Sequence, residues 1–186
     1  MDILLKPFPK YIKCYIRYDL HTLNHLPEKV KEETFMVTFD VINLYTNIPH
    51  NYGTEAIWSW LDKYPEEIPE RINKDFIIQS LRFVLQNNQF MFDTTVYRQK
   101  SGIAMGTRAA PTIANLTMGY LEITIYQESF SKFGNPLSQY ISENWKGFWD
   151  DCFIHWNDNI DKLLEFKTLL DSINTNIQFT MEHNQE

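Results

Sequence analysis

Residues 34–41, Thr-Phe-Met-Val-Thr-Phe-Asp-Val, alternate cleanly between apolar and polar. Phe35, Val37, Phe39 and Val41 share one face; Met36, Thr38 and Asp40 share the other. A period of two predicts a strand with one buried side. Further on the spacing lengthens to three and four. Phe76, Ile77, Ser80, Leu81, Val84 and Leu85 fit one helix face, and another helix is expected from about Asn51 to Lys63. Gln89–Phe92 and Thr95–Arg98 read as a hairpin turning near Asp93. Pro111, in a tolerated first-turn position, opens a long helix with Ile113, Leu116, Tyr120, Leu121 and Ile125 on one apolar face. A second hairpin spans about residues 146–156. Asn157 or Asp158 would cap a helix carrying Ile160, Leu163, Leu164, Phe166 and Leu170. Ile177 to Met181 is a final strand. Tyr45–Pro49 reads as a turn, and Pro65, Pro69 and Gly134-Asn135-Pro136 as breaks. Ahead of the first strand, Ile12–Leu26 carries a weak amphipathic helical pattern. Pro27 and the charged run Glu28–Glu33 read as a solvated helix or loop. Strand, two helices, hairpin, helix, hairpin, helix, strand is an α+β order, with an antiparallel sheet backed by helices.

Composition narrows the class. The chain has 186 residues, 44% hydrophobic and 15% aromatic, enough for one domain with a sizeable core. Its net charge of −7 argues against a self-sufficient nucleic-acid binder, which carries a basic face. Cys14 and Cys152 lie far apart without zinc-ligand spacing and read as reduced, buried thiols of an intracellular protein. Met1-Asp2-Ile3-Leu4-Leu5 meets Lys6 and Pro7 before an apolar signal core forms. No stretch is apolar for long enough to span a membrane.

The chemistry concentrates in Phe148-Trp149-Asp150-Asp151-Cys152-Phe153-Ile154. Adjacent aspartates in an apolar hairpin are either a turn dipeptide, since Asp favours turns, or a cation site, since carboxylates in such surroundings need a partner. Asp40 stands in a similar setting. Aspartates from two strands are what two-metal phosphoryl transfer requires, and hard oxygen donors select Mg²⁺.

Three segments together resemble the palm of a reverse transcriptase, most nearly that of Penelope-like retroelements. They are Phe39-Asp40-Val41-Ile42-Asn43-Leu44-Tyr45-Thr46-Asn47-Ile48-Pro49, then Ser101-Gly102-Ile103-Ala104-Met105-Gly106-Thr107-Arg108-Ala109-Ala110-Pro111-Thr112-Ile113-Ala114-Asn115, then Trp145-Lys146-Gly147-Phe148-Trp149-Asp150-Asp151. Their order and spacing match the family's motifs A, B and C, and Ile177–Glu182 resembles the strand that follows. The likeness runs from about Tyr11 onward. It implies a division into a helical lead-in, residues 1–33, and a palm, residues 34–186, with fingers and thumb largely missing.

The resemblance also implies roles. Asp40 and Asp150 would hold two Mg²⁺ ions, for which Mn²⁺ can substitute; Asp151 would assist the ion at the primer hydroxyl, and the Val41 carbonyl would complete the ligand set. Tyr45 would lie under the incoming sugar and reject a ribose 2′-hydroxyl; its plain alternative is a core tyrosine. The loop Gly102–Gly106, with Met105 inside it, would let backbone approach template and nucleotide, and Arg108 reads as a surface arginine. The partners implied are an RNA template, a DNA primer and dNTP, in the nucleus for an active element. Departures are Phe148 for the usual tyrosine, bulky Trp149 in the variable position, and Gly147 for a commonly basic residue. The function expected is RNA-directed DNA synthesis. The alternatives are an inactive or domesticated palm fragment and a two-metal nuclease; Tyr45 and the glycine loop favour a polymerase over the nuclease.

Overall fold

In chain order the elements are a helical turn α1 (Asp2–Leu5), a 3-10 turn (Phe8–Tyr11), β1 (Phe35–Val41), α2 (Leu44–Asn47), α3 (His50–Lys63), a 3-10 turn (Pro65–Glu67), α4 (Lys74–Gln86), β2 (Gln89–Phe92), β3 (Thr95–Arg98), α5 (Ala110–Phe133), α6 (Leu137–Asn144), β4 (Lys146–Phe148), β5 (Asp151–Trp156), α7 (Ile160–Ile173) and β6 (Phe179–Gln185). This computed structural model describes residues 1–16 and 26–185. They fall into two compact units: Met1–Lys13 with Asn43–Tyr120, and Cys14–Ile42 with Leu121–Glu186.

The second unit is built on a four-stranded antiparallel sheet ordered β4-β5-β1-β6. The alternation in β1 explains its central place. Val37, Phe39 and Val41 are buried, while Thr38 and Asp40 are exposed. The Phe39 ring packs 5.2 Å from Trp145, 6.0 Å from Phe166 of α7 and 6.5 Å from Phe179 of β6. Burial of each such ring is worth about 1.5–3 kcal/mol. α7 covers this face with Leu163, Phe166, Leu169 and Leu170. The sheet is therefore antiparallel and backed by helix, as its pattern predicts.

Behind β4 lies a buried polar cluster. Glu122 of α5 accepts a hydrogen bond from the Cys14 backbone N–H at 3.1 Å and another from the Tyr126 hydroxyl. Tyr15 forms a parallel bridge with Gly147, whose N–H donates to the Cys14 carbonyl at 3.0 Å. A Cβ on Gly147 would stand 3.0 Å from the Cys14 sulfur, so the packed thiol explains why no basic side chain occupies that position. Both cysteines are free and buried. Burial pushes each thiol up, with Glu122 adding to it, which leaves them unreactive.

In the first unit, α3 and α4 are in contact and Ile57, Trp60, Leu61, Ile77 and Leu81 on them are buried; the Trp60 indole N–H donates to the Leu116 carbonyl at 2.8 Å. The Asn73 side chain caps α4 by accepting from the Phe76 N–H. β2 and β3 form a separate two-stranded hairpin with every residue exposed.

Several expectations are corrected. Asn159, one residue beyond the expected caps, caps α7 by accepting from the Lys162 N–H at 2.9 Å. The last strand begins at Phe179 rather than Ile177 and runs to Gln185. Tyr45 lies in the one-turn helix α2, and α6 was not anticipated. Its only two buried residues, Ser138 and Ile141, are too few to write a helical period. α5 is buried almost all round over 109–117 rather than on one face. Of the helix expected over Ile12–Leu26, residues 17–25 lie outside the described residues; Ile12–Ile16 are not helical.

Candidate active site

The register of the central sheet fixes the three aspartates. Asp40 of β1 faces Asp151 of β5 directly, and the Val41 N–H donates to the Asp150 carbonyl at 3.1 Å. That bond belongs to the antiparallel pairing in which opposite side chains stand closest, with Cα atoms about 4.5 Å apart. Asp40 and Asp151 therefore share the sheet's outward face at one end, with Asp150 in the adjoining turn. Asp40 and Asp151 are exposed and Asp150 is half-buried.

The turn itself is strained. Phe148 pairs with Asp151, leaving Trp149 and Asp150 as a two-residue loop. Trp149 has φ +58°, and Asp150 is not left-handed. Positive φ at the first central residue only is the pattern of a type II′ turn, which favours glycine there. A tryptophan held at positive φ costs of order 1–3 kcal/mol. The indole recovers part of it by stacking on Phe148, with ring centres 5.4 Å apart and planes 4° from parallel. It stays 41% exposed at the tip of the hairpin. This geometry went unforeseen, although a large aromatic in a two-residue turn is a readable signal.

Like charges so placed resist one another. The Asp151 carboxyl is held above its ordinary value by burial first, then by Asp150 and Asp40. Directly opposed carboxylates in an exposed setting cost of order 1 kcal/mol. Among the described residues, no group of three or more His, Cys, Asp and Glu side chains is gathered closely enough to hold a metal ion. The donors are all hard oxygens on one open sheet end. That set fits Mg²⁺, which keeps waters and shares its ligands with substrate phosphates rather than sitting in a protein cage.

The other candidates lie in the first unit. The glycine loop is laid on the α2 turn: the Ile103 N–H donates to the Tyr45 carbonyl at 2.6 Å. Gly102 has φ +77°, and a Cβ there would stand 2.6 Å from the Thr46 oxygen and 2.8 Å from the Tyr45 oxygen. Only glycine permits that approach. His50 Nε2 lies 2.8 Å from the Gly102 oxygen and ties the loop to the start of α3. Nothing in the sequence singled out His50. Gly106, with φ +98°, would meet nothing within 4 Å, and Met105 beside it is 72% exposed. The loop thus has an anchored end and an open end. Tyr45 is half-buried. The structure joins Asp40, Val41, Asp150 and Asp151 within one unit, and Tyr45 with Gly102, Met105 and Gly106 within the other.

The fold is one that solved telomerase structures share. Solved structures similar to the chain include apo telomerase from Candida tropicalis truncated from its C-terminal domain, with TM-score 0.62 and 16% identity over 99% of this chain and 39% of that one. The apo telomerase gives TM-score 0.67 and 14% identity over 98% and 35%. The same telomerase with a TWJ fragment of telomeric RNA gives 0.65 and 14% over 98% and 32%. The chain therefore spans between 32% and 39% of the length of these chains. No protein-family model and no curated protein matches it. Among the described residues no helix is long and apolar enough to cross a membrane.

Proposed function

We propose that the chain is the palm of an RNA-directed DNA polymerase of a retroelement, of the Penelope-like kind that its three motifs resemble. One observation carries this reading: the β1–β5 register that sets Asp40 opposite Asp151 with Asp150 in the turn between β4 and β5. The reaction would be attack of a DNA primer 3′-hydroxyl on the α-phosphorus of a dNTP, paired to an RNA template, with release of pyrophosphate. Asp40, Asp150 and the Val41 carbonyl would hold two Mg²⁺ ions, with Asp151 at the primer side. Bound there, the ions would offset negative charge on the phosphate and primer oxygens.

The chain's own residues would do the rest. The β1–β5 ladder holds the carboxylates at fixed spacing on a rigid sheet. The open end of the glycine loop, Met105 and Gly106, would offer backbone to the template–nucleotide pair. Tyr45 would lie under the incoming sugar and exclude ribose. An active element of this kind would act in the nucleus. The test is primer extension on an RNA template, with dNTPs and Mg²⁺, by the longest reading frame that contains the chain. Extension that Asp40→Ala and Asp150→Ala each abolish, and that admits ribonucleotides in Tyr45→Ala, is expected. A well-folded protein that extends no primer, or extends equally without the aspartates, overturns the reading in favour of a palm without catalysis.

A further inference from the structure

β2 and β3 pair with each other and, among the described residues, with no other strand. A hairpin of two strands is marginal in water and gains stability from a third. Its apolar content is high: Phe90, Met91, Phe92, Val96 and Tyr97 are between 45% and 72% exposed. The register puts Phe90, Phe92 and Tyr97 on one face and Met91 with Val96 on the other. The Gln99 N–H donates to the Asn88 carbonyl at 2.9 Å, which makes Asn88 and Gln99 a hydrogen-bonded pair. Such pairs alternate along an antiparallel ladder, so Phe90–Tyr97 and Phe92–Thr95 are bonded in the same way. The N–H and C=O of Met91 therefore point away from β3, along an open edge.

The two edges of the hairpin differ. β3 ends on Arg98, with Lys100 just beyond, and cations of this kind guard an edge. β2 has neither a charge nor a proline. We propose that β2 pairs antiparallel with β2 of a second copy of this chain, about a two-fold axis through Met91. Met91 then exchanges both backbone bonds with its counterpart, Phe90 stands opposite Phe92, and Gln89 brings its amide beside Asp93. An axis perpendicular to the sheet keeps each residue on its own face. Phe90, Phe92 and Tyr97 of both copies therefore line one side of a continuous sheet, β3-β2-β2-β3. A second copy suits this edge because the register is self-complementary: it opposes no like charges and gives each phenylalanine an aromatic neighbour. The five apolar residues expose about 550 Å² per copy. Two copies can cover at most about 1,100 Å², at the lower edge of a specific interface, so the dimer is weak and concentration-dependent. The net charge of −7 on each chain opposes it, so association should tighten as salt screens the repulsion. The pairing uses no residue of the proposed active site and stands apart from the polymerase reading.

Sedimentation velocity of the 186-residue chain, from about 1 to about 500 μM, tests this, because a weak interface shows itself only over such a range. The mass should rise from one chain to two and stop there. Met91→Pro removes the outward N–H and leaves the β2–β3 bonds in place, since an edge strand tolerates proline where the N–H faces solvent. Met91→Lys sets two like charges against each other on the axis. Each should weaken dimerisation at least about tenfold, the order expected for two backbone hydrogen bonds. Val96→Pro makes the same change on the outward edge of β3 and should dimerise as wild type. Circular dichroism confirms that each variant is folded. Amide exchange gives a second reading that needs no variant: in dilute solution the Met91 and Val96 amides both exchange fast, and with rising concentration Met91 should slow more than Val96. A single chain at every concentration would leave the edge to a strand of another protein and overturn the proposal. So would a dimer that both Met91 variants leave intact, one that Val96→Pro weakens equally, or growth beyond two copies.

Discussion

At the scale of single residues, the glycine loop shows how two similar positions differ in what they tolerate. Gly102 and Gly106 both have positive φ, but a Cβ at Gly102 strikes backbone while one at Gly106 meets open space. Gly102→Ala must move the α2 turn that carries Tyr45. It should destabilise the protein by about 3 kcal/mol or more, combining backbone strain with overpacking. Gly106→Ala should cost only the conformational term, about 1 kcal/mol. Equal losses in urea unfolding would refute the assignment of anchored and open ends. A second residue-scale prediction concerns His155, which is buried and has no hydrogen-bond partner at Nδ1. Burial, and then Lys146, push its pKa below the ordinary value. The native state then holds fewer protons than the unfolded state wherever pH lies between the two values. Its contribution to stability is full above the unfolded value near 6.5 and is lost as pH falls below it. Urea midpoints from pH 7 to 5 should fall less steeply in His155→Gln. The catalytic candidates were legible at this scale because Asp-Asp between aromatic residues is conspicuous. His50 and the left-handed Trp149 were not, since each acquires its role through a contact or a dihedral angle that composition does not encode.

At the scale of elements, legibility follows how much of a segment one face buries. β1 alternates because one side packs on Phe166 and Phe179 while the other faces water, and its pattern located it within a residue. α4, amphipathic and capped by Asn73, was equally plain. α6 escaped notice because it is short and buries little, and β6 was placed early because Ile177 is buried just ahead of the strand. α5 misled in another way. A helix buried nearly all round has no polar face to set a period. The β2–β3 hairpin was read correctly from its turn signal, yet every one of its strand residues is exposed: Phe90 and Tyr97 stack on each other and both remain exposed. A two-stranded hairpin is marginal in water, so its amides should exchange fastest of any strand, while those of β1, paired on both sides, exchange slowest. Phe92→Ser, removing a 72% exposed ring, should shift stability by less than about 0.5 kcal/mol and raise solubility. A loss of about 2 kcal/mol would show that the ring is covered in solution.

At the scale of the whole molecule, charge and fold pull in different directions. The net charge of −7 reads against nucleic-acid binding, yet the fold is one that solved telomerase structures share. The two units resolve the tension in part. Summing side chains gives about +2 for the unit holding the glycine loop and about −9 for the one holding the aspartates, which together return −7. The acidic unit therefore has a reason to prefer cations, and the sheet end at Asp40, Asp150 and Asp151 concentrates that preference. Mn²⁺, binding the folded state and not the unfolded one, should stabilise the protein by about 2.7 kcal/mol at about 100 times its Kd. For a chain of this size that raises Tm by about 5–10 °C. Asp150→Asn should act in opposite directions with and without metal. Without it, the variant loses a like charge beside Asp151 and should melt slightly higher than wild type. With it, the variant lacks a ligand and should gain much less, so the two melting curves exchange order as Mn²⁺ is added. Thermal melts of both proteins across a Mn²⁺ titration read this directly. A neutral substitution far from the sheet end cannot produce such a crossing. If the order stays fixed, or the shift is equal in both proteins, these three aspartates are a turn and a strand end with no metal to hold.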